Sequence, residues 1–194
     1  MKMLIGLTGK TGSGKSLAAK IFEEQGAFVA DCDVIAHEVL NDGNVKEKLC
    51  SAFSEKILNK NNDIDRKVLG AIVFADSEKL SLLNSIVHGE IVNRALTMCR
   101  LSGKDICIID GSELEASGVD KSCNHIVVIT ADEEVRLKRI LLRDNIDRDS
   151  AMRRIRAQKD YSKDAIFIPN NGDEASLKDQ IINLYNKFSG EIND

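Results

Sequence analysis

The stretch Met3-Leu4-Ile5-Gly6-Leu7-Thr8-Gly9-Lys10-Thr11-Gly12-Ser13-Gly14-Lys15-Ser16 decides the fold of this 194-residue chain. An apolar run of strand length meets a glycine-rich octapeptide of the form G-x-x-x-x-G-K-S, and an amphipathic segment follows. Glycines let the backbone curl until successive N–H groups face one anion, the next helix adds its positive end, and Lys15 adds a mobile charge. The chain is therefore expected to bind a nucleoside triphosphate through Gly12, Ser13, Gly14, Lys15, Ser16 and Leu17, with the Ser16 hydroxyl holding magnesium. The loop does not name the reaction, because kinases, GTPases, ATPases and nucleotide-sensing regulators share it.

Working outward, three later apolar runs over residues 27–30, 105–110 and 125–130 lack period-two alternation, and Ile166-Phe167-Ile168 before Pro169 supplies a short last one. Continuous apolar runs separated by helical patterns predict an α/β fold whose parallel sheet is covered on both faces. A first helix is predicted over 14–25, with Leu17, Ala18, Ile21 and Phe22 inward and Gly26 past its end. Residues 34–101 show no convincing strand but have helical periodicity over 67–74 and 77–98, which predicts an inserted helical lobe. The polar segment Asn59-Lys60-Asn61-Asn62-Asp63 reads as an exposed turn within it. Helices are predicted over 131–143, over 147–159 with Asp147 as cap, and over 175–188.

With 43% hydrophobic residues the chain can bury a substantial core, and one domain spanning 1–194 is expected. The net charge of −4 argues against a general nucleic-acid binder, although basic residues bunch between Arg136 and Arg156. Five cysteines, odd in number and without a C-x-x-C pair, suggest neither a disulfide framework nor a zinc site. No signal-type apolar region opens the chain and no eighteen apolar residues run together, so a soluble, cytoplasmic protein without membrane contact is expected.

Phosphoryl transfer needs a triphosphate cradle, magnesium, a group to take the acceptor's proton and cations to neutralise the transferred phosphoryl. Asp31 and Asp33 follow the second apolar run, where a doubly wound sheet presents residues to its ligand. They share a side if the strand continues, whereas a helix starting at Val34 would make Asp33 an N-terminal carboxylate. Asp110 ends the third run, either as a carboxylate that holds magnesium through water or as an ordinary strand-ending one. Arg139 and Arg143, four apart, project from one helix face and suit a lid that closes on the nucleotide's phosphates. Arg136, Lys138, Arg148, Arg153, Arg154 and Arg156 read as solvated surface charge. His88, flanked by Ile86, Val87 and Ile91, suits a hydrogen-bonded structural role or a substrate contact. A GTPase would show N-K-x-D and D-x-x-G, which neither Asn59-Lys60-Asn61-Asn62 nor Asp110-Gly111 satisfies.

Together these residues resemble the dephospho-coenzyme A kinase family over nearly the whole chain. The resemblance runs through Ile5-Gly6-Leu7-Thr8-Gly9 and the loop, Val29-Ala30-Asp31-Cys32-Asp33-Val34-Ile35-Ala36, Ile64-Asp65-Arg66, Ile72-Val73-Phe74, His88, Leu137-Lys138-Arg139, Arg143-Asp144, Ala157-Gln158 and Asn170-Asn171-Gly172. It implies a three-layer P-loop kinase fold with a helical substrate lobe over 34–101 and a lid over 136–163. It also implies phosphorylation of the ribose 3′-hydroxyl of dephospho-CoA by ATP with Mg²⁺. By the same resemblance Asp33 is the base at the acceptor hydroxyl, Arg139 grips the phosphates, and Lys15 and Ser16 serve phosphate and metal; the residues themselves leave Asp31 or Asp110 to back the metal through water. Asp65, Arg66 and His88 form the coenzyme A side, and Asn170 sits beside adenine.

Two positions depart from the family pattern. Gly89 follows the histidine where proline is usual, and Asp110-Gly111-Ser112-Glu113-Leu114-Glu115 replaces a Pro-Leu-Leu-x-Glu segment that borders the acceptor. The alternatives are a kinase of another small acceptor, such as a nucleoside monophosphate, or a nucleotide-binding protein that has lost turnover.

Overall fold

A computed structural model describes residues 2–193. In chain order the elements are β1 (Met3–Gly9), α1 (Lys15–Glu24), β2 (Phe28–Asp31), α2 (Cys32–Val39), α3 (Gly43–Phe53), α4 (Arg66–Val73), α5 (Ser77–Leu101), β3 (Ile106–Asp110), α6 (Leu114–Ser117), β4 (His125–Thr130), α7 (Glu133–Asp144), α8 (Arg148–Ala157), β5 (Ile166–Pro169) and α9 (Glu174–Asn193). The fold is the mixed α/β arrangement expected from the apolar runs.

The sheet order is β2-β3-β1-β4-β5, and the β1–β3, β1–β4 and β4–β5 pairings are parallel. β1 is central, with the chain going to β2 on one side and later crossing to β4 on the other. The loop after β1 thus leaves the sheet at its topological switch point, where open α/β sheets receive ligands. Ile5, Leu7, Ile106, Ile108, Val127 and Ile129 turn to one face and pack with Ala18, Ile21 and Phe22 of α1 and Leu177, Ile181 and Phe188 of α9. On the other face Gly6 admits close packing, for a Cβ there would stand 2.6 Å from Ile126 Cδ1 and 2.9 Å from Leu114 Cδ1. All five residues of β3 are buried, as a strand covered on both sides requires.

Phe22 has no exposed surface and lies in this core. Phe22→Ala should lower the unfolding free energy by about 3–5 kcal/mol and the melting midpoint by roughly 10 °C. Differential scanning calorimetry reads the shift; a drop under about 3 °C would mean the site collapses around the deletion without a lasting cavity.

The chain separates into two compact units, residues 1–30 with 99–194, and Asp31–Met98. In the second, Asp31 opens α2 and its carboxylate accepts from Asp33 N (2.8 Å) and Val34 N (3.1 Å). The helix starts at Cys32, two residues before the start considered from sequence, and the capping carboxylate is Asp31, leaving Asp33 exposed in the first turn. Asp42 caps α3 through Asn44 N, and Asp65 caps α4 through Lys67 N and Val68 N. Between α3 and α4 an isolated antiparallel bridge, Leu58 with Ile64, closes the polar turn. Among the described residues no helix is long and apolar enough to cross a membrane.

Candidate active site

Past Gly9 the chain turns so that Ser13 N donates to Lys10 O (3.0 Å), and α1 opens at Lys15. Gly12 (φ 79°) and Gly14 (φ 100°) take left-handed conformations that side chains resist. Gly14 is the N-cap and provides no side-chain cap, so the first turn of α1 keeps its orphan N–H groups for a ligand.

The carbonyl side of the loop is held by donors from distant elements. Arg136 Nε donates to Thr11 O (2.9 Å), Arg139 Nη1 to Gly12 O (3.3 Å) and Ser13 O (3.4 Å), and Asn170 Nδ2 to Ser13 O (2.7 Å). In a trans peptide the N–H lies opposite the carbonyl. Holding these oxygens therefore turns the Gly12 and Gly14 N–H groups away from the arginines. Asn170 is itself fixed: its N–H bonds Thr130 O (2.7 Å), and its Oδ1 accepts from Arg139 Nη2 (3.4 Å).

Lys15 Nζ forms an ion pair and hydrogen bond with Asp110. The register pairs Leu7 with Asp110, so the carboxylate stands at the exit of β3 beside the loop, only 5% exposed. Ser16, in the first turn of α1, and Asp110 offer hard oxygen donors of the kind magnesium prefers.

α7 and α8 form a hairpin around Leu137, Ile140, Ala151 and Ile155. Asn145 at φ 49° ends α7, and Asp147 caps α8 through Ser150 N (2.8 Å). Arg143 bonds Asp144 at 2.6 and 3.0 Å, and Arg154 reaches the same carboxylate at 2.7 Å, holding Asp144 below the usual carboxylate range. After α8 the chain is tied down at successive residues. Gln158 Oε1 accepts from Thr11 N (2.6 Å), Asp160 pairs with Lys10 (2.5 Å), Ser162 donates to Glu115 (2.7 Å), and Tyr161 and Lys163 both reach the buried Asp120. Its hydrogen bond to Asp120 raises Lys163, and burial, aided by the Asp120 charge, pushes the Cys123 thiol up to about 12. Glu115, in the segment that departs from the family pattern, is thus engaged with Ser162.

With this geometry in view, the comparisons are specific. The family model described as dephospho-CoA kinase matches residues 3–173. The chain belongs to the dephospho-CoA kinase family. A dephospho-CoA kinase of Fusobacterium nucleatum is 40% identical over 179 residues, covering 90% of this chain and 93% of that protein. Among solved structures, TT1252 from Thermus thermophilus superposes with a TM-score of 0.79 at 26% identity, covering 96% of this chain and 97% of that one. Dephospho-CoA kinase from Campylobacter jejuni gives 0.70 at 26% identity, covering 98% and 99%.

Of the residues singled out in the family pattern, the structure brings Gly12, Ser13, Gly14, Lys15, Arg139 and Asn170 together at one loop, with Asp110 beside them. Arg143 is instead paired with Asp144 and largely exposed. Within Asp31–Met98, Asp31 and Asp65 are helix caps, Asp33 and Arg66 are exposed, and His88 lies half-buried on α5. Arg136, read from sequence as surface charge, is only 6% exposed, and burial pulls its guanidinium pKa below the ordinary value. Its signal was positional: it precedes Leu137 by one residue and Ile140 by four, which sets it on the buried arc of α7.

Proposed function

We propose that this chain transfers the γ-phosphoryl group of ATP to the ribose 3′-hydroxyl of dephospho-CoA, giving CoA and ADP. Family membership across residues 3–173, joined to a loop whose carbonyls are tied back and whose helix start is uncapped, carries the reading. The N–H groups of Gly12 and of Gly14 to Leu17 receive the phosphates, while the Ser13 N–H stays on Lys10 O. Lys15 exchanges Asp110 for phosphate oxygens and follows negative charge as it spreads over the transferred group. Asp33 takes the 3′-hydroxyl proton, the freed oxygen forms the new bond to the γ-phosphorus, and the bond to the β–γ bridging oxygen breaks. That Asp31 already accepts two backbone N–H bonds supports assigning the cap to it and the base to Asp33.

Ser16, with Asp110 through water, would hold Mg²⁺, which supplies charge neutralisation across the β- and γ-phosphates. Arg139 steadies the loop from its carbonyl side and extends toward the phosphates when the lid closes; Arg143 leaves Asp144 to join it. Asp65, Arg66 and His88 serve the coenzyme A side, and Asn170 the adenine. We place the enzyme in the cytoplasm, as its sequence leads one to expect.

An acceptor panel tests the proposal. With ATP and Mg²⁺, ADP should form only when dephospho-CoA is present. ADP formation with nucleoside monophosphates and none with dephospho-CoA would assign another acceptor, and none with any acceptor would leave a binding protein.

A further inference from the structure

Two side chains outside the assignments above meet at one residue of the phosphate loop. Thr11 donates its N–H to Gln158 Oε1 at 2.6 Å and accepts from Arg136 Nε at 2.9 Å on its carbonyl. These groups belong to consecutive peptide planes. The Lys10–Thr11 plane is held by Gln158 at its N–H and by Ser13 N at its carbonyl, and the Thr11–Gly12 plane is held by Arg136. Because the peptide is planar and trans, fixing the Thr11 carbonyl fixes the direction of the Gly12 N–H. Gly12, at φ 79°, has no side chain to resist a flip of that plane, and a flip would turn a carbonyl toward the phosphates.

Arg136 is poorly explained as a stabilising residue. It is 6% exposed, and its Nη2 is buried with no hydrogen-bond partner. A buried, unpartnered guanidinium nitrogen destabilises the fold. Thr11, by contrast, is half-buried, so water can replace a lost partner there. The backbone of Arg136 also lies against the loop, since a Cβ on Gly12 would stand 2.8 Å from its carbonyl oxygen.

We propose that Arg136 and Gln158 are positioning residues for ATP: they hold the two peptides that flank Thr11 so that the Gly12 N–H stays turned toward the nucleotide's phosphates. The inference rests on the loop binding ATP and is independent of the acceptor. One grip comes from α7 and the other from the residue after α8, so the loop's shape is set by the helical hairpin.

The test compares Arg136→Met, Gln158→Leu and the double variant. ADP binding is followed by calorimetry without acceptor, turnover kinetics with it, and melting midpoints throughout. Arg136→Met should weaken ADP binding and raise KM for ATP about tenfold, as loss of a charge-assisted hydrogen bond implies, with kcat within about threefold of wild type. KM for dephospho-CoA should not change, and the melting midpoint should hold or rise as the unpartnered nitrogen is removed. Gln158→Leu should act in the same direction, and the double variant should be weaker than the worse single by less than the product of the two effects, because both act through one residue. Arg136→Lys should recover part of the affinity. Unchanged ADP affinity in Arg136→Met, a lowered melting midpoint with KM for ATP intact, or fully multiplicative effects would each overturn the proposal. A wild type that binds ADP yet makes no CoA would overturn the reaction assignment and leave this inference standing.

Discussion

Asp33→Asn is expected to lower kcat by about 10²–10⁴-fold, the usual contribution of a positioned general base. Asparagine keeps the shape and loses the proton acceptor. The first turn of α2 should survive, because its cap is Asp31. ADP affinity should therefore stay within about twofold and KM for dephospho-CoA should move little, since the interaction lost belongs to the transition state. Steady-state kinetics with calorimetric ADP titration measures both. Turnover at the wild-type rate would remove Asp33 from the mechanism, and a loss of nucleotide affinity as large as the loss of kcat would make it a binding residue.

Lys15→Ala should act on both terms. Removing a fixed cation from the transferring phosphoryl is expected to reduce kcat by about 10²–10³-fold, comparable to deleting one donor of an oxyanion site and equivalent to roughly 3–4 kcal/mol of barrier. Nucleotide affinity should fall as well, because the same ammonium meets the ground-state phosphates. The variant also removes the cation paired with Asp110, whose side chain is 7% exposed, so a lower melting midpoint is expected. Activity must accordingly be compared at a temperature where the variant is fully folded. Lys15→Arg separates the effects: it keeps the charge but cannot place it on a single phosphate oxygen as an ammonium does. It should retain more stability than activity. Near-normal turnover in Lys15→Ala would contradict the role given to the loop.

These two variants probe residues that could be read from sequence, and the reasons are local. The strand Met3–Gly9, the octapeptide and the start of α1 lie within one window whose spacing reflects phosphate geometry. β3 and β4 declared themselves as unbroken apolar runs because both of their faces are covered. The cap at Asp147 acts over three residues and shows in composition.

What stayed hidden was either locally ambiguous or set by long-range packing. Asp31 could have continued a strand or started a helix, since the same Asp-x-Asp spacing serves both, and only the bonds to Asp33 N and Val34 N decide it. α3 escaped notice because it opens on Gly43, a poor helix former. Arg136 looked like one of several surface cations, for nothing local says that a guanidinium will reach Thr11 across 125 positions. Gln158 is one neutral amide among polar residues, and its partner lies 147 residues away. Sequence patterns record what a residue does within its own turn or strand; the grip on the phosphate loop is made between elements.

The most direct test takes the wild-type protein with ATP, Mg²⁺ and dephospho-CoA and identifies the phosphorylated product by mass and ³¹P NMR. The account predicts a ribose 3′-phosphomonoester accumulating in step with ADP. ADP released while dephospho-CoA stays unmodified, or a phosphate carried on any other oxygen, would contradict it.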